Sequence, residues 1–328
     1  MSTAPQKAKS GAEKLDVKVT AVVPLNELVT RFEFQRRDGE LFPPFSGGAH
    51  TVVQMVDGDR TRLNPYSLMS DPADRSRYAI SVRRDDEGRG GSLFMHRNVK
   101  VGDEMVLTYP VNLFSLDLRA KKHLFFAGGI GITPFMAMIS QLERANGNWE
   151  LHYACRSKAL GSYVDELTYK YPNKVHIYYD DQKQAMDLKP LLEGQPLGTN
   201  AYVCGPKGMI KWVHATASAA GWPDANVLSE EFMAPEPGAP FEVRLCQSDK
   251  TITVGENESL LEAIERAGVD APYLCRGGSC GQCETDVISA DGEFVHRDHW
   301  LDDVEHASGK KIMPCVSRFI GKSLELDR

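Results

Sequence analysis

Three cysteines, Cys275, Cys280 and Cys283, fall inside the nine residues CRGGSCGQC of a 328-residue chain that holds seven in all. Their spacing is C-x4-C-x2-C, and one further cysteine follows, Cys315 in KIMPCVSR. Disulfides, zinc and an iron–sulfur cluster are the candidate chemistries. The amino-terminal stretch MSTAPQKAKSGAEKLD carries lysines but no apolar core, so residues 1–14 read as a flexible tail and not as a secretory signal. The expected setting is the reducing cytoplasm, where clustered cysteines bind metal or do redox chemistry in preference to forming disulfides. Structural zinc sites pair two C-x2-C knuckles or add histidines, and this chain has one such knuckle. A Rieske centre needs two histidines in place of two cysteines, and no C-x-H occurs. The remaining match is the plant-type [2Fe–2S] spacing, with Cys275, Cys280, Cys283 and Cys315 as ligands. Gly277, Gly278 and Gly281 are expected at positive φ, aiming backbone N–H groups at the anionic sulfurs. Cys155, Cys204 and Cys246 lie outside the motif and read as small buried hydrophobes.

A chain of this length exceeds one hydrophobic core, so two or three domains are expected. Up to Leu118 it reads as short strands (LDVKVTAVVPL, VTRFEFQRR, HTVVQMV, RYAISVRR, EMVLTYP) separated by Gly/Pro/Asp turns, the pattern of an antiparallel β-barrel. From residue 119 strands alternate with helices: HLFFAGG, then ITPFMAMISQLERA, LHYACRS, DELTYKY, KVHIYYDD, and AYVCGP before GMIKWVHATASAA. That alternation predicts a parallel sheet covered on both faces, over 119–233. APEPGAP, 234–240, reads as a linker, and a third domain spans 241–328. The net charge of −7 argues against a nucleic-acid partner, and no apolar run is long enough to cross a bilayer.

AGGIGITP, 127–134, joins a strand to a helix, a junction that presents backbone N–H groups to a pyrophosphate. CGPKGM, 204–209, repeats the arrangement. Asp180 and Asp181 end the strand VHIYY, where a carboxylate accepts from a ribose hydroxyl and repels a 2′-phosphate, which favours NADH over NADPH. In the first segment, NPYSLMSDP and SVRRDDEGRGGS stand out. The second places Arg89, Gly90, Gly91 and Ser92 at a helix start, suited to a phosphate.

The third segment resembles a plant-type ferredoxin of β-grasp fold. The whole chain from about Leu15 is similar to the phthalate dioxygenase reductase family on four features: the cluster spacing, GGIGITP, CGP and the domain order. The resemblance implies an FMN-binding β-barrel at 15–118, an NAD-binding α/β domain at 119–233 and a [2Fe–2S] ferredoxin domain at 241–328. For FMN it implies Tyr66, Ser67, Ser81, Val82, Arg83, Arg89, Gly90, Gly91, Ser92, Thr133 and Phe232. For NAD it implies Gly128, Gly129, Gly131, Pro134, Arg156, Ser157, Asp180, Cys204, Gly205 and Pro206, with Thr133, Cys204 and Phe232 near flavin and nicotinamide. One position departs from the family's R-x-Y-S flavin motif: Asn64 stands where an arginine meets the flavin phosphate. Arg62, Arg83 and Arg89 are the candidates to supply that charge, with Arg89 preferred.

The cofactor set orders itself. NADH gives two electrons as hydride, a [2Fe–2S] cluster takes one, and a flavin joins the two. No catalytic side chain is expected beyond the cofactors, and His296 is expected to pack near the cluster domain. The implied acceptor is the terminal oxygenase of a two-component Rieske system that hydroxylates a ring or removes an N- or O-methyl group. The alternatives are a reductase for a haem or diiron monooxygenase, a general NADH:acceptor diaphorase, and a redox-sensing iron–sulfur flavoprotein.

Overall fold

The computed structural model describes residues 13–58 and 60–328. Of the tail expected over 1–14, residues 1–12 lie outside the described residues, and Lys14 already opens the first strand. The chain forms two compact units, Lys14–Phe232 and Met233–Arg328.

The first unit opens with an antiparallel sheet. Its strands are β1 (Lys14–Pro24), β2 (Val29–Arg36), β3 (Ala49–Asp57), β4 (Arg60–Ser67), β5 (Tyr78–Arg83), β6 (Glu104–Thr108) and the short β7 (Val111–Asn112), with α1 (Gly91–Asn98) after β5. The order β4-β3-β6-β1-β2-β5, with β7 on β3, leaves β4 and β5 as the two edges of a half-barrel. Alternation drives the closure: in β1 Leu15, Val17 and Val19 point inward and join Phe32, Phe34, Val53, Ile80 and Leu107 in one core. β4 escapes a pattern-based reading because Pro65 sits inside it, which an edge strand tolerates.

The same unit continues through β8 (Lys122–Gly128), α2 (Thr133–Arg144), β9 (Trp149–Cys155), α3 (Val164–Lys170), β10 (Val175–Tyr179), α4 (Leu188–Glu193), β11 (Thr199–Cys204), α5 (Lys207–Ala219) and β12 (Val227–Glu230). All five strands are parallel, in the order β10-β9-β8-β11-β12. Successive residues of β8 feed opposite cores. Phe125 and Ala127 pack with Phe135, Met138 and Leu142 of α2, whereas Leu124 and Phe126 pack with Leu188 of α4 and Val213 of α5. Phe135, Met138, Ile139 and Leu142 recur at helical spacing on the buried face of α2, with Pro134 in its first turn. Each such burial contributes roughly 1.5–3 kcal/mol. The strand order reverses between β8 and β11, so their carboxyl ends, Gly128 and Cys204, flank the crevice where α/β sheets take ligands.

The second unit holds β13 (Phe241–Leu245), β14 (Lys250–Val254), α6 (Leu260–Arg266), β15 (Thr285–Val295), α7 (Asp303–Ser308), β16 (Lys311–Ile312) and β17 (Arg318–Leu326). The order is β14-β13-β17-β15-β16, with β13 and β17 parallel and the other pairs antiparallel. Ser259 and Glu262 form a reciprocal capping box that starts α6, and Leu260, Leu261, Ala263 and Ile264 bury its inner face. The stretch read as a linker is coil, but its end is anchored: Arg318 donates to the carbonyls of Gly238 and Ala239 at 3.0 Å each. Among the described residues no helix is long and apolar enough to cross a membrane.

Candidate functional site

The carboxyl ends of the parallel strands open onto a cleft of about 760 Å³. Of the residues assigned to NAD, Gly128, Gly129, Gly131, Arg156, Asp180, Gly205 and Pro206 line it, and Arg83 and Phe232 of the flavin set reach the same space. Gly129 takes φ +54, and its carbonyl accepts from the Tyr153 hydroxyl at 3.0 Å, which fixes the turn. Asp180 stands exposed at the rim, at the start of a short 3-10 turn after β10. Phe232 is 47% exposed, so it presents a ring to the cleft and is no core residue.

Pro134, Thr133, Ser157 and Cys204 are not among the lining residues. Thr133 is buried and donates to the Ile130 carbonyl at 3.0 Å. Cys204 is fully buried because the last residue of β11 points into the core on the α2 face. Beside it in the ladder sits Glu230, whose carboxyl is pushed up to about 8 by burial and whose Oε2 has no partner among the described residues. Burial, with Glu230 adding to it, raises the Cys204 thiol well above its ordinary value.

The flavin candidates gather where the two sheet edges approach α1. Tyr66 and Ser67 end β4, and Ser81, Val82 and Arg83 end β5. The Tyr66 hydroxyl accepts from Asn64 Nδ2 at 3.3 Å, and burial pushes the phenol up to about 12. Among the described residues the buried Ser67 hydroxyl has no partner, nor do His50 Nε2 on the paired strand and the Ser70 hydroxyl. Buried polar atoms normally find partners, so this cluster of orphans fits a polar ligand. Two candidates are already engaged: Ser81 Oγ pairs with the Tyr163 hydroxyl at 2.6 Å, and the Val82 carbonyl meets His96 Nε2 at 2.8 Å.

Gly90, at φ +91, caps α1, and Gly91 and Ser92 form its first turn. The arginine seated there is Arg62. Its guanidinium lies 3.3–3.6 Å from where a Gly90 side chain would begin, and its Nε donates to the Arg89 carbonyl at 3.3 Å. Asn64, two residues on along the same face of β4, rests its amide on Gly91. Arg83 lines the nucleotide cleft instead. Arg62 thus stands at the start of α1 beside the Arg89 backbone, with its Nη1 donating to Asp57 Oδ2 at 2.7 Å.

In the second unit the four cysteines come together as free thiols, with Cys275, Cys283 and Cys315 buried and Cys280 partly exposed. Cys275 contacts Cys280, and Cys283 contacts Cys315. The Cys280 thiol, then the backbone N–H groups of Gly277, Ser279 and Cys280, pull Cys275 down to about 5 against the opposing effect of burial. Four converging thiols with amides aimed at sulfur suit a four-thiolate [2Fe–2S] cluster. The loop's backbone differs from expectation at one residue. Gly278 and Gly281 take positive φ, but Gly277 does not, and Arg276 adopts φ 52 instead. Arg276 is held there by a bidentate pair with Glu265 of α6 at 2.8 and 2.6 Å and by the Tyr273 ring. Of the three remaining cysteines Cys155 and Cys204 are buried, but Cys246 is partly exposed at the end of β13. His296 packs as expected, stacked on His306 with centroids 4.3 Å apart.

Several residues of the cleft escaped the sequence reading. Asn26 is one: its Oδ1 accepts from the Leu28 and Val29 amides, and its Nδ2 donates to Ser162 Oγ at 3.0 Å, tying the half-barrel to the loop before α3. Trp212 and Met186 also line the space. An asparagine opening a turn was visible in PLNELV, but its partner 136 residues away was not.

Two family models match the chain. Residues 108–227 match the dimethylamine monooxygenase subunit DmmA-like N-terminal domain, and residues 243–319 match the 2Fe-2S iron-sulfur cluster binding domain. The chain is 45% identical to the heme-dependent oxidative N-demethylase beta subunit of Ectopseudomonas mendocina, covering 95% of this chain and 98% of that one. It is 44% identical to the carnitine monooxygenase reductase subunit of Acinetobacter baumannii, over 94% and 96%. The solved structure of phthalate dioxygenase reductase, described as modular for electron transfer from pyridine nucleotides to [2Fe-2S], superposes with a TM-score of 0.86 at 35% identity, over 96% of this chain and 98% of that one. With thiol loop, nucleotide cleft and strand order all in agreement, this chain belongs to the phthalate dioxygenase reductase family.

Proposed function

We propose that this chain passes electrons from NADH through FMN and a [2Fe–2S] cluster to the terminal component of a Rieske-type oxygenase, one that hydroxylates a ring or removes an N- or O-methyl group. In this reading residues 15–118 hold FMN, 119–233 hold NADH, 234–240 link, and 241–328 hold the cluster. The observation that carries it is the shared cleft: Phe232 of the flavin set lines one space with the residues of the nucleotide set, as hydride transfer between stacked rings requires.

When bound, FMN would supply two-electron acceptance from NADH and the cluster one-electron transfer onward. The chain's own work is positioning. The glycine turn from Gly128 to Gly131 lets backbone amides approach the pyrophosphate, with Pro134 behind it. Asp180 accepts from the adenosine ribose, with Arg156 and Ser157 beside it. Gly205 and Pro206, backed by Cys204, bound the nicotinamide, and Phe232 and Thr133 bound the flavin ring. Tyr66 packs on that ring, Ser67 donates to it, and the backbone of β5 at Ser81–Arg83 faces it. The start of α1 at Gly90–Ser92, with Arg62 and the Arg89 backbone, holds the flavin phosphate. Cys275, Cys280, Cys283 and Cys315 ligate the cluster.

The 45% identity to the beta subunit of a heme-dependent N-demethylase favours a second reading, in which the acceptor is a haem protein. The two are separated by mixing the NADH-reduced chain anaerobically with the oxygenase components of carnitine monooxygenase and of the heme-dependent N-demethylase. Appearance of a reduced Rieske signal in the acceptor's electron paramagnetic resonance spectrum supports the first, and a shift of a haem Soret band supports the second.

A further inference from the structure

We infer that Trp300 is the anchor by which the ferredoxin unit docks on its terminal oxygenase, an inference that rests on the function proposed above. Its indole covers Gly281, between Cys280 and Cys283, so close that any side chain at 281 would overlap the ring. Gly281, at φ +72, is therefore required twice, by backbone conformation and by the tryptophan above it. The indole Nε1 donates to Glu284 Oε2 at 2.9 Å, and Glu284 is itself held by Lys311 at 2.9 Å.

The segment carrying Trp300 is fastened to the cluster loop. The His299 amide donates to the Gly278 carbonyl at 3.0 Å. The buried Asp298 carboxylate accepts from the Leu301 amide at 2.9 Å, from Ser317 Oγ at 3.2 Å and from His306 Nε2 at 3.2 Å. Yet Trp300 remains 51% exposed, and Val304, four residues on, is 77% exposed. Burial does not explain an indole held rigid over an electron-transfer loop with half its surface in water. A partner does: rigid aromatic rings lose little entropy on binding and dominate interface energetics.

The charge identifies the partner's chemistry. Residues 241–328 carry seventeen acidic and ten basic side chains, whereas residues 1–240 carry 28 of each, so the ferredoxin segment holds the chain's whole net charge of −7. Asp302 and Asp303, next to Trp300, are exposed. The fitting surface is a shallow apolar pocket with a basic rim on the oxygenase, which brings its acceptor centre next to the loop through which electrons leave.

The test measures holo-reductase turnover against increasing concentrations of two acceptors, the oxygenase component of carnitine monooxygenase and that of the heme-dependent N-demethylase. NADH:ferricyanide turnover calibrates the loaded enzyme. Trp300→Ala is expected to raise KM for the oxygenase about tenfold with kcat changed less than about twofold, and Trp300→Phe to recover most of the loss. Asp303→Lys, which leaves the indole in place, raises the same KM at low ionic strength by several-fold, an effect that salt abolishes. Wild-type turnover with the oxygenase and an unchanged KM in Trp300→Ala overturns the docking assignment alone. A change of oligomeric state in Trp300→Ala with unchanged KM also overturns it and gives the face to a second copy. Failure of the wild type to reduce either oxygenase while it reduces ferricyanide overturns the oxygenase reading itself.

Discussion

The carbonyl oxygen of Cys204 lies where a side chain on Gly131 would begin. The glycine turn after β8 and the end of β11 therefore touch backbone to backbone across the switch point of the sheet. A methyl group there meets carbonyl and amide atoms that belong to a buried strand and have no rotamer to change. Gly131→Ala is expected to cost about 1–3 kcal/mol through overpacking and to raise KM for NADH at least tenfold. Thermal unfolding and stopped-flow reduction by NADH read the two effects, while the iron–sulfur absorption is retained.

In the proposed function Arg62 supplies the charge that the position of Asn64 lacks. Removing a charge-assisted donor to a phosphate costs about 1.5–3 kcal/mol, so Arg62→Ala is expected to weaken FMN binding by roughly 10- to 100-fold. Arg83→Ala, which acts on the nucleotide cleft, leaves FMN affinity within about threefold. Equilibrium dialysis of the deflavinated protein against FMN distinguishes them, and equal losses in both variants would remove Arg62 from the phosphate site.

In the proposed function Asp180 sets the coenzyme preference by repelling a 2′-phosphate. Asp180→Ser is expected to lower the NADH/NADPH ratio of kcat/KM by about tenfold or more, equivalent to roughly 1.4 kcal/mol of lost discrimination. Steady-state ferricyanide reduction with each coenzyme checks this.

Glu230 makes stability depend on pH. Its folded carboxyl sits near 8 because burial penalises the charge, whereas the unfolded chain titrates near the ordinary carboxylate value. A raised folded pKa means the contribution is intact below about 4.5 and is lost as pH rises toward 8. The loss amounts to at most about 5 kcal/mol. Glu230→Gln removes the titration, so the difference in Tm between variant and wild type is expected to widen from pH 5 to pH 8 and then level off. A constant difference across that range would mean that Glu230 ionises freely.

How much of this was legible beforehand depended on sequence distance. The four cysteines were readable because three share one loop, and the chemistry fixes their spacing. The parallel sheet was readable because β8, β9 and β11 each present an apolar run followed by a helical period. Arg62 was legible only as one of three candidate arginines, because its place depends on the register of β4 against the start of α1, and Pro65 hid β4 as a strand. Arg276 was not legible: its positive φ is stabilised by Glu265 from a helix eleven residues earlier, leaving Gly277 in ordinary backbone. Glu230 escaped for a similar reason. In SEEF two adjacent glutamates look alike, and only the fold sets a Glu230 carboxylate oxygen out of solvent beside Cys204 while Glu231 lines the cleft.

The central claim, an electron path from NADH through FMN to the cluster, is tested most directly by anaerobic titration of the purified protein with NADH under visible absorption. Three electrons fill the two centres, so complete bleaching of both flavin and iron–sulfur bands is expected at about 1.5 equivalents of NADH. Iron–sulfur bands that stay unbleached at excess NADH would contradict the account.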